Sequence, residues 1–327
     1  MTATGFGIEH MVAFWERKTQ HRVNEDASMW SRDMALLAGL ELNVREANLY
    51  LLQERPSLEA FESWVIARNG GEMDEATVER LRRALQGEVV APAVSLENVE
   101  GLTDEELAQW DEQGYVVLQG AISEEDAREA EMAVYEHLGM RPEEADGWYS
   151  AELGHTIWVP LLRHAAMRRN RRSARITKAF TQLWGRDDLW ATVDQAGFNP
   201  PEREGWRFPG PHLHWDTTLV EPHHFGVQGI LYLADVAEDQ GAFCCVPGFH
   251  RKLKSWLAEL PAGADARQVA LETLTKELKP IAAKRGDFVL WHQSLPHASS
   301  ANHAGKPRVV QYLSMWPTHF EYNTEWM

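Results

Sequence analysis

From about Trp190 onward the chain breaks into short apolar runs rich in β-branched and aromatic residues, and this succession limits the fold more than any other feature. LWATVDQ, HLHWDTTLV, FGVQGILYLADV, AFCCVPG, GDFVLWHQS and RVVQYLSMW follow one another, bounded by Gly, Pro, Asn and Asp. Short strands with few helical patterns between them predict a sandwich or a barrel. The C-terminal half reads as mostly β.

Ahead of it the period is helical. In PSLEAFESWVIARNGG, Leu58, Phe61 and Val65 recur at helical spacing after Ser57, and Asn69-Gly70 supplies a stop. In MDEATVERLRRALQG, Asp74 caps a stripe of Val78, Leu81 and Leu85 that ends at Gly87. We read residues 1–87 as a helical N-terminal region, the aperiodic residues 88–101 as a connector, and residues 102–327 as a second unit. That unit opens with a Thr103/Glu106 capping box, a helix stopped by Gly114, the strand YVVLQG and the helix SEEDAREAEMAVYEHLG. A helix-rich stretch follows from residue 150 to about Trp190. The fold class is α+β, and the N-terminal helices pack on or cap the β unit.

The 32 Lys and Arg against 49 Asp and Glu give a net charge of -17, which disfavours nucleic acid and anionic lipid as partners. Cys244 and Cys245 are adjacent, so no disulfide framework forms. The start MTATGFGIEHMVAFWERK lacks the basic and apolar regions of a signal peptide, and no window approaches the ~18 apolar residues of a membrane span. The expected setting is cytoplasmic.

Within HLHWDTT, strand alternation would put His214 and Asp216 on one face, with Trp215 on the other. An imidazole and a carboxylate at one point form part of a metal site. Of the 14 histidines, His297 is the best third ligand, lying just past the apolar run of GDFVLWHQSLPHASS, with His292 and His303 as rivals. Arg308, at the start of the next strand, favours His297, because an arginine entering a β core needs an anionic partner. Two histidines and a carboxylate suit non-haem Fe(II) and leave open positions on the metal. A dicarboxylate cosubstrate chelating that metal would need its far carboxylate held, which Arg308 with Ser299 offers.

From Leu102 to the C-terminus the chain resembles the phytanoyl-CoA dioxygenase family of Fe(II)/2-oxoglutarate oxygenases. The marks, in order, are LTDEELAQWDEQGYVVLQGAIS, HLHWD, DQGAFCCVPGFH and GDFVLWHQSLPHASSANHAGKPR. The resemblance implies a double-stranded β-helix, a jelly-roll and cupin-like core with supporting helices. It implies iron on His214, Asp216 and His297, and 2-oxoglutarate on Arg308 and Ser299, with Gln228 and Tyr232 as further contacts from one face of FGVQGILYL. It implies hydroxylation of an unactivated C–H of a small molecule by O2, with release of succinate and CO2. Desaturation or cyclisation by the same iron chemistry is the alternative, as is a non-catalytic metal-binding barrel. Related halogenases carry a small residue where Asp216 stands, so halogenation is disfavoured.

Other features have plainer readings. His250 in CCVPGFHRK reads as a turn residue bonded to backbone, and His223-His224 as a surface loop or a substrate mouth. Trp206, Trp215 and Trp291 lie near the motifs as core or pocket walls. RHAAMRRNRRSAR, residues 163–175, is the one dense basic run. It reads as a solvated helix start paired with acids such as Asp187 and Asp188, or as a landing site for an anionic or carrier-linked substrate. The N-terminal region could shape the pocket, meet a second copy in a homo-oligomer, or hold a carrier.

Overall fold

The computed structural model describes residues 5–20, 27–149, 153–323 and 325. Residues 1–4, part of the stretch read above for a signal peptide, and residues 21–26 of the helical region lie outside the described residues. Five helices come first: α1 (Glu9–Thr19), α2 (Ala27–Gly39), α3 (Val44–Glu54), α4 (Leu58–Arg68) and α5 (Glu75–Leu85). Then follow α6 (Asp104–Gln113), β1 (Tyr115–Leu118), α7 (Glu124–His137), β2 (Trp158–Val159), α8 (Ala165–Arg171), α9 (Ala174–Trp184), β3 (Leu189–Ala191) and β4 (Ala196–Asn199). The remainder is β5 (Val227–Tyr232), β6 (Phe243–Cys245), α10 (Leu253–Glu259), α11 (Ala266–Leu274), β7 (Lys279–Ile281), β8 (Phe288–His292), β9 (His297–Ser299), β10 (Arg308–Tyr312) and β11 (Met315–Pro317).

Capping chemistry sets several of these boundaries. Ser57, Asp74 and Ser123 each accept a backbone N–H at the start of α4, α5 and α7, and the Thr103/Glu106 capping box closes on α6. Gly114 ends α6 at φ 75°, a conformation open to glycine without strain.

Three antiparallel sheets result, in strand orders β1-β8-β5-β10-β4-β2, β7-β6-β9 and β11-β3. The six-stranded sheet is buried on both faces. Phe288 and Leu290 of β8, Leu231 of β5 and Val309 of β10 turn to one side, where they meet α7 and α9. Val289, Trp291, Ile230 and Val310 alternate with them and turn to the other side, against Phe243, Cys245 and Ile281 of the three-stranded sheet. The two small helices α10 and α11, absent from the strand-dominated reading of this region, close the second core with Leu253, Ala270 and Leu274.

HLHWDTTLV departs from expectation. Residues 212–220 form no strand, and a single bridge pairs His214 with His297. Instead of a neighbouring strand, Arg267 satisfies the carbonyls of Trp215 at 3.0 Å and Thr217 at 2.8 Å.

The five N-terminal helices share a third core, which takes in Trp190 of β3. Arg80 of α5 lies 3.7 Å over the Trp190 ring and donates to Leu189 O at 2.9 Å. The basic run 163–175 supplies the other seam. Arg163 and Arg68 pair with Glu46, and Arg168 and Arg172 pair with Glu41, while Arg169 turns away to Asp126 and Glu129 of α7. The expected acids Asp187 and Asp188 are not the partners, and Asp188 is bound by Arg186 at 2.5 Å. Trp190→Ala should cost about 3–5 kcal/mol, the usual result of emptying a buried indole site. Urea denaturation followed by circular dichroism checks this.

Candidate metal centre

His214, Asp216 and His297 offer ligand atoms that all lie within 4.8 Å of one another. Asp216 sits between the rings, with His214 Nε2 at 3.4 Å from Oδ1 and His297 Nε2 at 3.3 Å from Oδ2. Backbone bonds hold the two histidines together: His214 N–H donates to His297 O at 2.9 Å, and His297 N–H to His214 O at 3.0 Å.

The imidazoles are also fixed in tautomer. His214 Nδ1 lies 2.7 Å from His212 O and His297 Nδ1 lies 3.1 Å from Leu295 O. A carbonyl only accepts, so each Nδ1 carries a proton and each Nε2 is the nitrogen turned to the centre. Gln228 donates to Asp216 Oδ2 at 2.8 Å and accepts from Trp291 Nε1 at 3.1 Å, which sets the plane of the carboxylate. Burial alone would push the Asp216 carboxyl up, but the two imidazoles outweigh it and hold the pKa far below the usual carboxylate range. Burial likewise pulls His214 down, and the hydrogen bond and charge of Asp216 more than reverse this. An ionised carboxylate between two imidazole Nε2 atoms, whose protons a bound cation would displace, is a donor set for a divalent transition metal.

The rival histidines point elsewhere. His292 accepts Ser294 N–H on Nδ1 at 3.0 Å beside His250, and burial lowers its pKa to about 4. His303 is exposed, with Nδ1 3.8 Å from Glu202. His250 bonds Asp111 O at 3.1 Å, as a turn residue should. His223 and His224 line a second pocket that also reaches Asp216 and is walled by Trp30 and Met34 of α2.

A cavity of about 340 Å³ opens beside the three ligands, with Ser299 and Tyr312 in its wall. Behind them lies Arg308, fully buried. Its guanidinium reaches Ser299 Oγ at 3.2 Å and Tyr312 Oη at 3.5 Å, and its Nε has no partner. Among the described residues no carboxylate pairs with it. A buried cation with only two hydroxyls is incomplete, and a carboxylate placed in the cavity completes it.

Gln228 lines this cavity, but Tyr232 does not. Both face the same side of β5, yet the Tyr232 hydroxyl is consumed in the core, donating to Ile281 O and accepting Phe243 N–H, each at 3.0 Å. Its role is to tie β5 to β6 and β7, a correction to its expected contact with cosubstrate. Of the three tryptophans near the motifs, only Trp291 lines the cavity, while Trp206 and Trp215 are core. Unforeseen wall residues are Tyr312, Trp158, Asp194, and Asn43 and Arg45 from the start of α3. Tyr312 was discernible in principle, since it shares a strand face with Arg308.

A family model, phytanoyl-CoA dioxygenase (PhyH), matches residues 110–310. The chain belongs to this family. A Dictyostelium discoideum protein bearing the phytanoyl-CoA dioxygenase name is 22% identical over 260 residues, covering 63% of this chain and 73% of its own. Among solved structures, the non-haem alpha-ketoglutarate-dependent carbocyclase SnoK from nogalamycin biosynthesis is 19% identical at a TM-score of 0.50, covering 71% of this chain and 89% of its own. HygX from Streptomyces hygroscopicus, solved with nickel, 2-oxoglutarate and hygromycin B, is 17% identical at a TM-score of 0.49, covering 66% and 88%. The likeness to SnoK is one of fold. As a member of a dioxygenase family the protein is an oxidoreductase, and iron and 2-oxoglutarate are the family's cofactors. No helix among the described residues is long and apolar enough to cross a membrane.

Proposed function

We propose that this phytanoyl-CoA dioxygenase family member hydroxylates an unactivated C–H bond of a small molecule, using Fe(II), 2-oxoglutarate and O2. The active unit is residues 102–327, folded as a double-stranded β-helix. The observation that carries the reading is the buried, incompletely paired Arg308 behind the His-Asp-His group: a metal site alone has no need of it, and a chelating dicarboxylate needs both.

His214, Asp216 and His297 would hold the iron, and Arg308 with Ser299 the far carboxylate of 2-oxoglutarate. Iron and 2-oxoglutarate supply the oxidising chemistry, in which O2 is consumed, 2-oxoglutarate becomes succinate and CO2, and one oxygen atom is left for the substrate. The protein's part is positioning. Gln228 orients Asp216, the carbonyls of His212 and Leu295 hold each ring by its Nδ1 so that Nε2 faces the metal position, and Phe243 and Trp291 pack on the His297 ring to keep water from it. Asp216 would occupy the position a halide would need, which favours hydroxylation over halogenation.

Metal-free protein given Fe(II) and then 2-oxoglutarate under nitrogen should develop the weak visible charge-transfer band of the chelate, and oxygen should then yield succinate. Iron binding with no band, or uptake of zinc alone, would make the barrel a binding module or a hydrolase instead.

A further inference from the structure

We propose that Arg45 anchors an anionic group of the substrate, a carboxylate or phosphate remote from the carbon that is oxidised. The inference rests on the reading of the metal centre above and adds the substrate's chemical class. Arg45 is exposed, lies in the first turn of α3, and lines both the metal cavity and an outer groove of about 710 Å³. Asn43 and Gln195 line both as well, so the groove continues from the cavity.

A lone exposed arginine is ordinarily a solvated side chain. Three observations set Arg45 apart. No carboxylate or carbonyl among the described residues engages its guanidinium. Its position is fixed, because Asn43 caps α3 through Oδ1 while its Nδ2 donates to Val193 O at 2.7 Å, pinning the start of the helix to the β unit. The groove is also basic in a chain of net charge -17. Its other charged walls are Arg68, Arg163 and Glu46, and the two arginines share that one carboxylate, so the guanidinium of Arg45 is the one left without an acid there.

The apolar surface beside it defines the rest of the ligand. Leu49 in the groove and Trp158 in the cavity are among the few large apolar side chains left exposed, at 42% and 40%. Leu161 and Leu162 extend the groove's apolar wall. A molecule with an apolar body and one anionic end fits this path, its anion on Arg45 and its body reaching past Trp158 toward His214 and His297. Such an anion would be drawn in by the local field despite the acidic surface.

The test uses octyl phosphate, octanoate and octanol, titrated calorimetrically into the full-length protein loaded with Fe(II) and 2-oxoglutarate under nitrogen. At least one anion should bind about tenfold or more tightly than octanol, the scale of a charge-assisted hydrogen bond, and the preference should shrink as salt rises. Preference for octyl phosphate assigns the group as a phosphate, and preference for octanoate as a carboxylate. Arg45→Gln should bring anion and alcohol to within about twofold, Arg45→Lys should keep part of the preference, and Arg141→Gln, which removes an exposed arginine paired with Glu144, should keep all of it. Octanol binding as tightly as the anions, no measurable binding of either anion, or a preference that survives Arg45→Gln overturns the proposal. Loss of the chelate band with the anion preference intact would instead overturn the metal-centre reading and leave the anion site standing.

Discussion

His297→Ala is expected to abolish succinate formation and the visible chelate band, with iron affinity falling at least about a hundredfold. The scale follows from outer partners of metal ligands, whose loss alone costs about 10–100-fold; removing the ligand itself costs more. The substitution leaves a carboxylate and one imidazole, a pair that cannot hold a divalent ion in fixed geometry. It also breaks the arrangement in which His297 Nε2 faces Asp216 Oδ2 at 3.3 Å. The backbone bridge to His214 does not depend on the side chain, so the fold should survive. Circular dichroism close to wild type alongside loss of iron is the expected pair of results. Retained iron affinity would mean that the metal is held elsewhere.

Much of this centre was legible because metal chemistry restricts which residues serve. His214, Asp216 and His297 could be picked out by type and order, yet the route to their convergence was misread. Strand alternation was to bring His214 and Asp216 together, whereas residues 212–220 form no strand and a single bridge to His297 does the work. Arg267, whose donors take the Trp215 and Thr217 carbonyls, lies about fifty residues away and carries no local signal. The partners of the basic run were hidden in the same way, since Glu46 and Glu41 are more than a hundred residues from Arg163 and Arg172.

Element type was legible where one face is wet and one buried, and at capped ends. The stripes of α4 and α5 and the caps Ser57, Asp74 and Thr103 are such cases. It was not legible where strands are very short. The two residues of β2 show no period, and the four of β4 are all buried, so neither displays the alternation by which strands are recognised. Asn43 and Arg45 could not be assigned to the cavity at all, because they reach it through the packing of α3 against the β unit.

Arg308→Met should raise the 2-oxoglutarate concentration needed for half-maximal succinate formation by about two to three orders of magnitude, the usual cost of removing one side of a buried charge pair. Iron affinity should stay near wild type, since no metal ligand is touched. Arg308→Lys should fall between the two, because an ammonium is a point charge without the guanidinium fork. Thermal stability separates this anchoring role from a structural ion pair. A structural pair would make the variant less stable under all conditions. Here the guanidinium is buried with only the Ser299 and Tyr312 hydroxyls and an unpartnered Nε, so Arg308→Met should leave the cosubstrate-free protein unchanged or more stable. Added 2-oxoglutarate at a hundred times its Kd should stabilise the iron-loaded wild type by about 2.7 kcal/mol through linkage, and at that concentration the variant should gain little. A wild type that gains nothing from 2-oxoglutarate, with a variant destabilised in its absence, would return Arg308 to an ordinary place in the core and remove the cosubstrate from the mechanism.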